Sequence, residues 1–271
     1  MSDSDAYLME NSEEALRLDV KTDPDAVQRQ VEICGIGPGA RVLDGGCGSG
    51  KTTSIIHEMV QPGGSVVGID FAQDRVDFAK KHYVNKDGIE FRCMDLMKPL
   101  DDLGSFDFIW VRFVLEYYLE GSLDIIRNAA KSLKPDGRLC LLDLDYNCLS
   151  HYPIKAEMES ILQKLVQKMM TKYNFDAFVG RKIYTYLYDL GFGDIQVNLI
   201  PHHLIYGDLQ SSDDFNWIKK VEMASVKAKA LFDDYPGGYE GFLYDFNDFF
   251  HDPRRFTYTP LIICTGSKPV E

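Results

Sequence analysis

The run Arg41-Val42-Leu43-Asp44-Gly45-Gly46-Cys47-Gly48-Ser49-Gly50-Lys51-Thr52 constrains this chain more than any other stretch. A short apolar segment is entered through Gly37-Pro38-Gly39, ends on an acid and passes through a glycine-rich loop. The following segment, Lys51 to Val60, reads as a helix stopped by Pro62-Gly63-Gly64. Strand and helix alternate downstream. Ser65–Asp70 reads as a second strand, Gln73–Tyr83 as a helix, and Ile89–Cys93 as a third strand. Phe106–Val111 reads as a fourth strand and Leu123–Leu133 as a helix. Pro135-Asp136-Gly137 then turns into a fifth strand, Arg138–Leu144. Continuous apolar strands alternating with helices imply an α/β fold with a Rossmann-like, mostly parallel sheet covered on both faces.

After residue 145 the alternation stops. Pro153–Tyr173 has the apolar spacing of a long helix, Lys182–Leu190 of a shorter one, and Ile195–Tyr206 reads as a strand bent at Pro201. Asp208–Phe250 is mostly helical and rich in aromatics, and Thr257–Gly266 closes with a strand. The expected organisation is one domain, 23–271, with helical cap insertions at about 146–180 and 207–255, preceded by a separate segment, 1–22. No internal repeat or long linker appears.

Composition bounds the function. The 271 residues are 45% hydrophobic, enough for a sizeable core, and 29 Lys+Arg stand against 42 Asp+Glu, a net charge of −13. That balance, with no basic run, speaks against nucleic-acid backbone and anionic membrane as partners. The expectation is a cytoplasmic protein: residues 1–5 lack a basic and apolar leader, and no stretch is long and apolar enough to span a bilayer. Six scattered cysteines without a C-x-x-C pair read as free thiols rather than a disulfide framework or a metal site.

The loop also spells a Walker A pattern, with Gly45, Gly50, Lys51 and Thr52 in register, so a P-loop nucleotidase is a competing reading. Two acids oppose it. Asp44 lies at the mouth of the loop, where a carboxylate repels a polyphosphate and favours a cation. Asp70 ends the next strand about 20 residues on, a placement suited to bridging a ribose diol.

Five segments in order resemble the class I S-adenosylmethionine-dependent methyltransferases, and among them the small-molecule enzymes of the ubiquinone/menaquinone-biosynthesis type. They are Val42–Gly50 (motif I), Val67–Ala72 (the ribose motif), Cys93–Leu96 (the adenine turn), Phe106–Val111 (the fourth motif) and Leu133–Gly137 (the turn before the fifth strand). The resemblance covers roughly 25–150 strongly and the remainder loosely. Residues around Tyr7–Leu18 also resemble an N-terminal segment of some of these enzymes.

The resemblance implies S-adenosyl-L-methionine as cofactor. Gly45, Gly46 and Gly48 allow its close approach to the backbone. Asp44 holds its ammonium, Asp70 its ribose and Phe71 its adenine face, while Asp95 and the Leu96 N–H take the adenine edge. Val111 contributes a backbone contact. Arg112 departs from the usual small or polar residue and reads either as a partner of Glu116 or as a contact to a substrate carboxylate. Tyr7 and Arg17 fold over the methionyl carboxylate, with the 1–22 segment as cover. Asp44 and Asp70 also read as helix caps, and Phe71 as core.

Methyl transfer needs a base only where the acceptor must lose a proton. His151 with Tyr146 is the preferred candidate, ahead of Asp145, His202 and His203. Aromatics of the insertions, among them Tyr152, Phe175, Phe178, Tyr184, Trp217, Phe242, Tyr244 and Phe246, either line an apolar acceptor pocket or form the cap's own core. The fourth motif continues Val111-Arg112-Phe113-Val114, not the Asn-Pro-Pro-aromatic pattern of base-amine methylation. The acceptor is therefore expected to be a small apolar or aromatic molecule. A third reading is a methyltransferase-like cofactor-binding module without turnover. No metal site is expected, and the sequence does not specify an oligomeric state.

Overall fold

The computed structural model describes residues 14–84, 87–147, 149–209 and 228–269. Tyr7, Cys148, Trp217 and most of the 1–22 segment lie outside the described residues.

Alternation along the strands builds the core. In β1 (Arg41–Gly45), Val42 packs on one side of the sheet and Leu43 on the other. Ile109 and Trp110 split in the same way in β4 (Phe106–Arg112), as do Leu139 and Cys140 in β5 (Leu133–Leu144). Both faces are apolar, so both are covered. One carries α2 (Pro24–Ile33) and α3 (Lys51–Met59), which bring Val27, Val31, Ile55 and Ile56. The other carries α5 (Ser122–Lys131) and α7 (Ile183–Asp189), which bring Ile125, Ile126, Ala129 and Leu187. The start of α2 is set locally: Pro24 occupies its first turn, and the Asp23 carboxylate accepts from the Asp25 and Ala26 N–H groups.

With β2 (Ser65–Asp70), β3 (Ile89–Cys93), β6 (His151–Tyr152), β7 (Gly193–Tyr206) and β8 (Phe256–Ser267), the sheet runs β3-β2-β1-β4-β5-β8. The first five strands are parallel; β8 runs antiparallel to β5 and pairs on its other side with β7. Short β6 pairs with the start of β8. The chain winds outward from β1 to β3 and then returns to the other side of β1 with β4. The β1/β4 boundary is therefore the switch point where open α/β sheets bind ligands, beyond the C-terminal ends of their strands.

Above this edge the insertions form a second core. The long helix α6 (Ala156–Tyr173) buries Met158, Ile161, Leu162, Leu165, Val166 and Met169 at helical spacing. Met158, Ile161 and Leu162 pack with Phe242, Phe246, Phe249 and Phe250 of α8 (Gly238–His251). No helix among the described residues is long and apolar enough to cross a membrane.

The structure adjusts several of the expected bounds. The helix anticipated to Leu133 stops at Lys131, because the sheet claims Leu133 by pairing it with Phe106. The helix anticipated from Pro153 starts at Ala156. The bend at Pro201 is a register shift between Pro201 and His203 against β8. Phe246 is 1% exposed among its aromatic neighbours, so Phe246→Ala is expected to cost about 3–5 kcal/mol of unfolding free energy in chemical denaturation. A loss below about 1 kcal/mol would show that the cap core does not contribute to folding.

Candidate functional site

A cavity of ≈ 250 Å³ opens at the C-terminal ends of β1, β2 and β4. Its wall runs from the glycine loop past the ends of β2 and β3 to the loop after β4, and is closed by α6.

Asp70 organises the loop end. Its Oδ2 accepts from the Gly48 N–H at 2.9 Å, and its Oδ1 accepts from the Ala72 N–H at 3.0 Å and from Arg75 Nε at 3.0 Å. Arg75 Nη2 completes the ion pair at 2.9 Å; both side chains are buried. The main chain adds two bonds, with the Gly46 and Cys47 N–H groups both donating to the Ile69 carbonyl. Gly46 has φ +80, and a Cβ there would come within 2.3 Å of Val114 Cγ2; Gly48 has φ +54. Side chains at either position would be strained, and at Gly46 would collide as well. Phe71 is 42% exposed, lies on the cavity wall and stands under the Arg75 guanidinium at 4.8 Å.

Asp44 is 2% exposed and on the wall, and its Oδ2 accepts from Thr53 Oγ1 at 2.6 Å. Burial pushes its carboxyl up to about 6, against the opposing influence of Thr53 and Arg112. It does not cap α3, whose N-terminus is Gly50 in the left-handed region. Asp95 also lies on the wall, its Oδ1 accepting from the Met97 N–H at 2.9 Å; Leu96 lines the wall beside it.

Four residues of α1 (Glu14–Lys21) and its end, Arg17, Leu18, Lys21 and Thr22, close this side. Arg17 pairs with Glu14 at 2.6 Å. The lysine of the Walker-like pattern is committed here: Lys51 Nζ donates to the Asp19 carbonyl at 2.8 Å, which ties α1 to the start of α3. Lys51 is not part of the cavity wall.

The expected site residues divide as follows. Arg17, Asp44, Gly46, Gly48, Asp70, Phe71, Asp95, Leu96 and Arg112 come together on one wall. Gly45 and Val111 do not: they are paired on adjacent strands beneath it, and a Cβ on Gly45 would meet Leu96 and Val111. Arg112 does not pair with Glu116. Its Nε donates to Gln30 Oε1 at 2.7 Å, its guanidinium lies over the Phe113 ring at 4.1 Å, and burial lowers it to about 10 while Asp44 and Asp143 support its charge.

The expected base is displaced. His151 belongs to β6, where its Nδ1 is 2.9 Å from Thr257 Oγ1 and its ring meets Phe249 and Phe250 edge-on. Tyr146 packs on Phe178 and is 40% exposed; Asp145 accepts from Arg181 Nε and Nη2. None of the three lines the cavity. The groups there are Glu116 and Asn147, with Tyr117, Phe175 and His202. Only His202 among these was legible as a candidate base. Of the insertion aromatics, Phe242 and Phe246 are cap core, Tyr152, Tyr184 and Tyr244 are exposed, and Phe175 reaches the wall. No group of three or more His, Cys, Asp or Glu among the described residues is arranged to hold a metal.

Comparison with known proteins follows this geometry. Residues 43–141 match the family described as a methyltransferase domain. The demethylmenaquinone methyltransferase of Staphylococcus aureus is 27% identical over 146 residues, 54% of this chain and 58% of its own length. The chain spans a little over half the length of the curated relatives that it matches first. Among solved structures, a putative methyltransferase of Bacillus halodurans superposes with a TM-score of 0.59 at 15% identity, covering 91% of this chain and 100% of that one. The cyclase SpnF superposes at 0.55 and 18% identity, covering 92% and 82%. These likenesses establish the fold.

The Asp44 carboxyl predicts a pH signature. Its folded value, about 6, lies above its ordinary value of 3.8, so between these pH values the folded state binds the extra proton and stability falls as pH rises. The unfolding free energy of wild type minus that of Asp44→Asn is therefore expected to drop by about 2 kcal/mol between pH 4 and pH 6.5, then level off. A flat difference across that range would place the ionisation elsewhere.

Proposed function

We propose that this chain, which carries a methyltransferase domain of the class I, S-adenosylmethionine-dependent type, transfers a methyl group from that cofactor to a small, apolar or aromatic acceptor. The observation that carries the reading is the single wall on which Gly46, Gly48, Asp44, Asp70, Phe71 and Asp95 meet. The residues present fit the cofactor. The glycine loop leaves no room for side chains, Phe71 offers an exposed ring face, and three carboxylates suit an ammonium, a diol and an adenine amine. When bound, the cofactor supplies a methyl group already activated on a sulfonium.

The chain's contribution is then binding, orientation and exclusion of water. Asp44 would hold the ammonium, Asp70 the ribose diol, Phe71 and Asp95 the adenine, and Arg17 on α1 the carboxylate. The helix α1 acts as cover: Lys51 and Tyr83 both bond to Asp19, so it is fastened from two sides. The acceptor would enter against α6, whose Leu162, Leu165, Val166 and Met169 give an aliphatic wall. That wall and the net charge of −13 favour a small apolar acceptor over nucleic acid. The named activity of the Staphylococcus aureus relative, on demethylmenaquinone, supports the same class. A P-loop reading is disfavoured by the Lys51–Asp19 bond and by the Gly48 N–H facing a carboxylate.

A second reading, a binding module or an enzyme of other chemistry, is kept open by the shared fold of the cyclase SpnF. Calorimetry and turnover separate them. S-adenosylmethionine and S-adenosylhomocysteine are expected to bind, and Asp70→Ala to weaken binding at least tenfold, about 1.4 kcal/mol or more. Affinity is expected to rise as pH passes up through about 6, where Asp44 ionises and attracts the ammonium; Asp44→Asn flattens that rise. ATP–magnesium binding without S-adenosylmethionine binding would sink the proposal. Cofactor binding with no conversion to S-adenosylhomocysteine across a panel of phenols, quinols and amines would favour the second reading.

A further inference from the structure

We propose that Glu116, positioned by Asn147, is the group that receives the acceptor: it accepts the hydrogen bond, and then the proton, of a weakly acidic hydroxyl on an apolar body. The inference rests on the methyl-transfer reading and specifies its acceptor side.

The argument starts from the backbone. Glu116 lies on the short helical turn after β4, and its main chain is clamped on both sides. Its N–H donates to Asp143 Oδ2 at 3.2 Å, and its carbonyl accepts from the Asp176 N–H at 2.6 Å. The side chain is fixed as well. Asn147 Nδ2 donates to Glu116 Oε2 at 2.9 Å, and the Asn147 N–H is tied to the Ala177 carbonyl at 3.0 Å. Glu116 is 6% exposed and Asn147 5%, yet both contribute to the cavity wall. A carboxylate has about four acceptor positions, so the Asn147 amide and a ligand hydroxyl can be held together. Buried placement and a locked orientation are what a reacting group requires.

The surroundings choose the ligand. Sharing the cavity with this acid are the aliphatic side chains of α6 and the ring of Phe175, which suit an apolar body. The same wall already carries a cation, the half-buried Arg112 guanidinium. Asp143, directly behind Glu116, is pushed toward its protonated form by burial and by the neighbouring Glu116 carboxylate, so the pair tends toward one negative charge rather than two. A hydroxyl on an apolar body can donate to Glu116 without bringing a further charge beside the Arg112 guanidinium, whereas an ammonium would bring one. In the transfer, an acceptor oxygen lone pair forms the bond to the methyl carbon. The carbon–sulfur bond breaks with its electrons remaining on sulfur, and the O–H proton passes to the Glu116 carboxylate.

The test uses the full chain loaded with S-adenosylhomocysteine, titrated calorimetrically with 1-naphthol, 1-methoxynaphthalene and 1-naphthylmethylamine. Wild type is expected to bind the naphthol at least tenfold tighter than its methyl ether, which lacks the proton. Glu116→Gln, which keeps the shape but not the charge, should bring the two within about threefold while retaining S-adenosylhomocysteine binding; Asn147→Ala should fall between. Equal binding of naphthol and ether to wild type, binding of neither, or tighter binding of the amine overturns the proposal. The wild-type comparison decides even where a variant fails to fold. Loss of S-adenosylhomocysteine binding by wild type itself would instead overturn the methyl-transfer reading, and this inference with it.

Discussion

The buried Asp70–Arg75 pair, with the Gly48 N–H on its other oxygen, is the interaction on which the site depends. It joins three elements that sequence keeps apart: the loop after β1, the end of β2 and the first turn of α4 (Gln73–Tyr83). Removing one partner would leave the other charged and buried, a situation that typically costs about 3–5 kcal/mol. The glycine loop therefore does not hold its shape through glycine alone. It is held by a carboxylate that accepts its amide, and by the Ile69 carbonyl, which takes two more. The φ values of Gly46 and Gly48 are the local consequence.

From that anchor the electrostatics of the cavity follow. Asp44 is buried next to the same loop and is raised because water is excluded, with Thr53 and Arg112 only partly offsetting the cost. Arg112 is lowered for the mirror-image reason. The wall thus holds charges that are kept ionised by one another, and it gains when a ligand brings a complementary charge. This is the condition under which a polar cavity binds a zwitterionic cofactor in preference to a polyphosphate. The fastening of α1 by Lys51 completes the enclosure, and it uses the residue that a P-loop would have turned toward phosphate.

Much of this was legible in the sequence because it is local. Ser65–Asp70 is a strand because a short apolar run sits between turn residues, Ile89–Cys93 because apolar and charged residues alternate, and α4 follows from its spacing. Asp44, Asp70 and Asp95 were legible because they end or follow successive strands of a parallel sheet, which must bring them to one edge. The proposed proton acceptor was not legible. His151 looked close to the edge in chain order, but pairing of β6 with β8 carries it into the cap, against Phe249 and Phe250. Glu116 carried no motif, since its placement depends on Asn147, Asp143 and Asp176, on other segments. The aromatics of the insertions were ambiguous for the same reason: helical spacing says that Phe242 and Phe246 share a face, but not that the face meets α6.

The central claim is that one wall at the β1/β4 switch point binds the cofactor. Backbone hydrogen exchange with and without S-adenosylhomocysteine tests it most directly. The account predicts slowed exchange in four places: the glycine loop at 45–50, the end of β2 at 69–72, the turn at 94–97 and α1. Protection confined to the opposite end of the sheet, near 35–40, or protection of the glycine loop by ATP–magnesium and not by S-adenosylhomocysteine, would contradict it.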